Sequence, residues 1–211
     1  YYYETKVAPS SSEEFRIGLD LALTGPFASF GQGSLWGAQQ AIADLNAAGG
    51  IKIGNKRVPV KGFVYDDGSS GSKTASLAAE AIESDHVQVL TNGDEPPDVN
   101  NPLSQTADRY GIPALVGGPW EGWWAGGPYK YAWSQGFVIG QPGVAPEGWT
   151  IKDVASDYTE SIMDQTNKVA AAIAADDTDG AAWYAAFPGI MQSLGLDVIG
   201  ASSKFGLYPP G

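Results

Sequence analysis

Cysteine is absent from the whole chain, which removes disulfides, thiolate metal sites and cysteine nucleophiles. The compartment stays open, because exported proteins without disulfides are common. Histidine occurs once, as His86, so any metal centre would have to be built from oxygen ligands, and a Ser-His hydrolase has one residue to draw on. No G-x-S-x-G elbow is present. Basic side chains are half as numerous as acidic ones, 12 against 24, and form no run; nucleic acid and anionic membrane surfaces are therefore excluded as partners. No apolar stretch approaches the roughly 18 residues of a membrane span, and no secretory signal opens the chain. If the protein is exported, the expectation is a mature form with its signal removed.

What the chain does have is a repeated alternation of short apolar runs and amphipathic stretches, in 211 residues that are 43% hydrophobic. Residues 17–23 form an apolar run, 24–33 a loop marked by Gly and Pro, and the next stretch is helical, with Leu35, Ala38, Ile42 and Leu45 on one face. Ser34 is placed to cap that helix, and Gly49 and Gly50 to stop it. A turn at Gly54 and Asn55 leads to a second strand, about 58–65, ending in Asp66, Asp67 and Gly68. Residues 72–85 read as a helix with Leu77, Ala78, Ala81 and Ile82 inward, 87–91 as a strand, 92–101 as an irregular loop, 102–110 as a helix and 112–116 as a fourth strand. Strands alternating with helices predict an α/β fold with a parallel, doubly wound sheet.

Residues 117–150 are rich in Gly, Pro and Trp. A strand over 129–137 and an inter-lobe connection over 139–152 are expected there. A second α/β unit follows: helix 153–166, strand 168–174, loop 176–180, helix 181–194 with Pro188 expected to kink it or end it early, and strand 196–200. The expected division is a flexible leader at 1–14, a first lobe at 15–138, the connection, and a partial second lobe at 153–211. A lobe with so few strands leaves faces and edges uncovered, so either a longer chain was trimmed or a second chain completes it.

In such sheets ligands sit beyond the carboxyl ends of the strands. Phe27 and Phe30 follow the first strand there, and Trp120, Trp123 and Trp124 follow the fourth, as a candidate aromatic wall or as packing between lobes. Gly31, Gly33 and Gly37 approximate a dinucleotide fingerprint, but they lie too far from the strand and lack a carboxylate at the ribose distance. Asp176, Asp177 and Asp179 crowd one turn without the glutamate a calcium loop needs. His86 reads as a boundary residue. No metal, cofactor or catalytic group is expected.

The runs GLDLALTGPFASFGQGSLWGAQQAIADLNAAGGI, VKGFVYDDGSS, YGIPALVG and NKVAAAIAADDTDGAAWYAAF, in that order over most of 15–205, resemble the type I periplasmic binding proteins, the branched-chain amino acid and amide group. That resemblance implies a two-lobed receptor, here with an incomplete second lobe, that hands a small organic molecule to an ABC permease outside the cytoplasm. A ligand-sensing regulatory domain of the same fold is the alternative. It also implies site positions: Gly118 where a backbone carbonyl grips the ligand, Trp120 where a threonine stands, Asp98 or Asn100 in place of a serine, Phe30 as a retained aromatic, and Asp179 in place of a tyrosine. The amino-acid clamp is thus missing from the matching positions. A polyol, sugar or amine is favoured, with an amino acid or amide as the other option.

Overall fold

The computed structural model describes residues 14–117, 129–134, 151–176 and 178–199, apart from the side chains at 151, 178, 179 and 182. Residues 1–13 of the expected leader, 139–150 of the expected connection and the positions Gly118, Trp120, Trp123, Trp124 and Asp177, together with the side chain of Asp179, lie outside the described residues.

Five parallel strands are described in one sheet: β1 (Phe15–Leu21), β4 (Val60–Asp66), β5 (Val89–Asn92), β6 (Ala114–Val116) and β7 (Ala132–Ser134), in the order β4-β1-β5-β6-β7. The order reverses between β1 and β5. That switch point is where two loops diverge and leave a crevice at the carboxyl edge. Between β1 and β4 the chain forms α1 (Ala28–Ala47) and a small antiparallel hairpin, β2 (Ile51–Ile53) with β3 (Lys56–Val58), around the expected Gly54-Asn55 turn.

Helices α2 (Gly71–Glu83) and α3 (Pro97–Tyr110) pack together on one face of the sheet. There Ala78, Ala81 and Ile82 of α2 and Leu103 and Ala107 of α3 meet Leu90, Ala114, Val116 and Ala132, all buried. Burying large aliphatic side chains at roughly 1.5–3 kcal/mol each makes this layer the main core. The opposite face is covered by α1 over β1 and β4, where Ile42 and Leu19 both crowd the space a side chain at Gly62 would need. Further along that face Leu115 and Trp133, paired in register, remain half exposed.

Several elements differ from expectation. β1 starts two residues early and α1 begins at Ala28, so Phe30, Gly31 and Gly33 are helical and Ser34 caps nothing. The cause is tertiary: a Cβ at Gly31 would strike the Ala22 backbone, so the glycine lets the first turn lie directly under the end of β1. Leu45 is 40% exposed, and Gly31 is the one buried residue described on α1, so the assigned face is only partly covered. α3 begins at Pro97 rather than 102. Proline at the first helical position lacks only an N–H that would be orphaned there, and Pro96 supplies the extended entry. Gly111 ends α3 in the left-handed conformation, at φ 71°.

The later part holds α4 (Ile151–Ile162), a 3₁₀ turn Met163–Gln165, β8 (Val169–Ala170), α5 (Thr178–Ser193) and β9 (Asp197–Val198), with β8 and β9 parallel. The strand expected over 168–174 shrinks to two residues, and the 176–180 loop is already helical from Thr178. Pro188 does not end α5, which runs on to Ser193.

Candidate functional site

The candidate site is built from three loops at the carboxyl edge: 22–27 after β1, 67–70 after β4 and 93–96 after β5. Asp66 organises the first two. Its Oδ1 accepts from the Leu23, Thr24 and Gly68 amides at 3.0, 3.1 and 2.9 Å, and its Oδ2 from the Thr24 hydroxyl at 2.8 Å. Burial raises this carboxyl, but the hydrogen bonds from Thr24, Gly68 and Leu23 outweigh that and hold it below the usual carboxylate range. Ser69 then crosses between the loops, its hydroxyl donating to the Thr24 carbonyl at 2.8 Å and accepting from the Phe27 amide at 3.1 Å.

A second network ties β5, α3 and β6. The Asn92 side-chain amide donates to the Asn100 oxygen, and the Asn100 amide donates to the carbonyls of Glu95 and, at 2.9 Å, Gly117. The Gly117 N–H returns to the Asn92 oxygen at 3.0 Å. Glu95 links the switch point itself, accepting from the Ala22 amide at 3.2 Å.

Beneath these loops lie three carboxyls. Asp20, Asp67 and Glu95 are each no more than 1% exposed. Burial raises Asp20 to about 9, helped by the charges of Asp67, Glu95 and Asp66. Burial likewise raises Glu95 to about 7 against the amides of Ala22 and Glu95 itself, with Asp67 and Asp94 adding to the rise. Burial raises Asp67 too, although the amides of Ser69 and Ser70 oppose it. Asp20 is thus neutral at pH 7 and lies under the site as an acid, not an anion.

Of the expected site residues, Phe27 is buried at the head of α1 beside Ala22 and Val99, a packing position. Phe30 stands one turn later and is 52% exposed. Asp98 is exposed in the first turn of α3, while Asn100 is fully buried and committed to the loop network. The expected loop over 92–101 is helical from Pro97, and about half a helical turn separates an outward carboxylate from an inward amide. Sequence reasoning missed Asp20 and Glu95. Asp20 left a signal, a carboxylate inside the apolar run LDLAL; Glu95, in a loop full of polar residues, left none.

In the later unit a cavity of about 410 Å³ opens between residues 171–175 and α5, lined by Trp183, Tyr184 and Phe187. Among the described residues no group of three or more His, Cys, Asp or Glu could hold a metal ion, and no helix is long and apolar enough to cross a membrane.

Comparison with known proteins decides what this arrangement belongs to. The profile of the family described as Periplasmic binding protein matches residues 14–206. The chain belongs to that family. Among curated relatives of this periplasmic binding protein, the Leu/Ile/Val-binding protein of Escherichia coli K12 is 38% identical over 71 residues, 34% of this chain and 18% of the relative. Among solved structures, a solute-binding protein of an ABC transporter from Rhodopseudomonas palustris BisB5, in complex with 3,4-dihydroxybenzoic acid, superposes with TM-score 0.65 at 18% identity. It is matched over 89% of this chain and 46% of its own. The branched-chain amino acid transporter substrate-binding protein of Streptococcus pneumoniae, in complex with isoleucine, gives TM-score 0.63 at 18% identity, over 88% and 48%. The fold is therefore that of the type I periplasmic binding proteins, and the chain spans about half the length of these structures. The family is one of binding proteins, not of enzymes.

Proposed function

We propose that this periplasmic binding protein acts outside the cytoplasm as the solute receptor of an ABC importer, closing two lobes over a small polar organic molecule and presenting the closed form to a permease. The observation that carries the reading is the family match over 14–206, joined to a switch-point crevice whose three loops are braced from below by Asp66, Ser69 and Asn100. Bracing of this kind holds a binding surface in place before the ligand arrives, which reduces the ordering cost of binding. Closure follows as a population shift once the ligand touches both lobes.

The ligand class favoured is an amine or a neutral polyhydroxy compound. Asp94 and Asp98 are exposed at the head of α3, and the amide of Asn100 is engaged internally instead of awaiting a ligand carboxylate. Phe30 and the trio Trp183, Tyr184 and Phe187 supply aromatic faces suited to ammonium groups and sugar rings. Relatives of this fold take isoleucine or hydroxylated benzoic acids, so the class must be tested directly. Thermal unfolding with a panel of polyamines, polyols, branched-chain amino acids and hydroxybenzoates is expected to show stabilisation by the first two, since a ligand at 100 times its Kd adds about 2.7 kcal/mol. Stabilisation by isoleucine or 4-hydroxybenzoate alone would overturn the ligand class, and no response to any of the four would overturn the receptor reading for this chain.

A further inference from the structure

A buried side chain joins the loops after β1 and β5 at the switch point. Glu95 Oε1 accepts the Ala22 amide, while its Oε2 is buried with no hydrogen-bond partner among the described residues. Both oxygens of Asp20 are in the same condition. A carboxylate sealed from water with an unused oxygen is costly, and several such groups together cannot all ionise. The charges of these groups act on one another, so the cluster cannot be fully ionised while it stays buried.

Its surroundings offer little relief. β1 contributes Asp20; β4 contributes Tyr65, whose hydroxyl is engaged by Asp85, and Asp66; the following loop contributes Asp67. The loop of Glu95 adds Asp94, α3 adds the exposed Asp98, and α1 has no charged residue before Asp44. Lys73 of α2 is the cation whose charge reaches Asp67, its ammonium 3.5 Å from the Asp66 carbonyl. Arg16 and Lys61 stand beside Glu14 at the far ends of β1 and β4, and Arg109 stands in the last turn of α3. Asp20 sits within β1, hydrogen-bonded into the sheet between β4 and β5, and has no way out. Glu95 has one, since it stands on a loop between Gly93 and Pro96 beside the exposed Asp94, with its backbone carbonyl held by Asn100.

We propose that Glu95 is a proton-operated latch at the switch point: protonated, it stays inside and fastens the loop after β1 to the loop after β5 through the Ala22 amide; ionised, its side chain swings out to water and releases that loop. The direction follows from linkage. A group that holds its proton more tightly inside than in water shifts the equilibrium toward the outside state as pH rises. Glu95 is thus a positioning residue for the crevice, and the latch itself does not depend on what the crevice binds. Its effect on affinity, tighter in mild acid than in mild alkali, rests on the receptor reading.

The test is an NMR titration of the full chain from pH 5 to 9, following the Ala22 amide and the Glu95 side-chain carboxyl carbon. The two signals are expected to share one midpoint near neutrality, and amide protection at Ala22 is expected to fall at least tenfold above it. In Glu95→Gln the Ala22 transition should vanish, with the amide protected throughout. A flat Ala22 signal in the wild type, separate midpoints for the two signals, or an unchanged Ala22 transition in Glu95→Gln would each overturn the latch. If Glu95→Gln does not fold, the two wild-type midpoints still decide. Thermal shifts with the ligand panel at pH 6 and pH 8.5 test the consequence separately: no shift at either pH counts against the receptor reading and leaves the latch standing, whereas equal shifts at both pH values remove the link between latch and affinity.

Discussion

Asn100 shows how much one buried amide can hold. It satisfies the carbonyls of Glu95 and Gly117 and accepts from Asn92, so β5, α3 and β6 meet on a single side chain. Asn100→Ala would strand those partners without water, and a loss of roughly 2–4 kcal/mol is expected in urea unfolding; a loss under about 0.5 kcal/mol would show that the loops close without it. Leu45 makes the contrast. At 40% exposed it leaves only a shallow gap when truncated, so Leu45→Ala should cost about 1 kcal/mol or less, well short of the 2–5 kcal/mol of a buried leucine.

At the scale of elements, the first turn of α1 is set by its closeness to β1. Any side chain at Gly31 meets the Ala22 backbone, and α1 must then move away from the end of the strand. Gly31→Ala would raise helix propensity by about 1 kcal/mol in an isolated helix, yet here it should destabilise by roughly 1–3 kcal/mol through overpacking. A stabilised variant would show that α1 shifts at no cost. The same closeness explains why α1 begins before the residues that look like its cap: the first free N–H groups lean on Gly25 and on the Ser69 hydroxyl instead of a helix-capping side chain.

For the whole molecule, the buried carboxyls set the response to pH. Asp20 and Glu95 keep their protons more tightly folded than unfolded, so their stabilisation is complete below about pH 4 and is lost as pH rises, through about 7 for Glu95 and about 9 for Asp20. Asp66 works in the opposite sense: its stabilisation is present above the usual carboxylate range and is lost on acidification. Maximum stability is therefore expected in mild acid, with a decline from about pH 6 to pH 9. Urea midpoints across that range check it, and Asp20→Asn should flatten the alkaline limb. A midpoint that climbs steadily toward pH 9 would mean that Asp20 is solvated or paired.

The alternation of strands and helices was legible in the sequence because period and punctuation are local: apolar runs near 17–23 and 112–116, the Gly54-Asn55 turn and the Ala78-Ala81-Ile82 face all reappear in the structure within a residue or two. The serial resemblance along 15–205 was legible for the same reason, and it carried the family. What tertiary structure alone decided was where loops end and helices start, as at Ala28 and Pro97, and which polar residues turn inward. Asp98 and Asn100 are two residues apart with similar side chains, and only the packing of α3 against β5 and β6 sends one to solvent and buries the other. Asp20 and Glu95, distant in the chain, share a dry site because β1 and β5 are neighbours, and such pairings of distant segments leave no periodic trace in either segment.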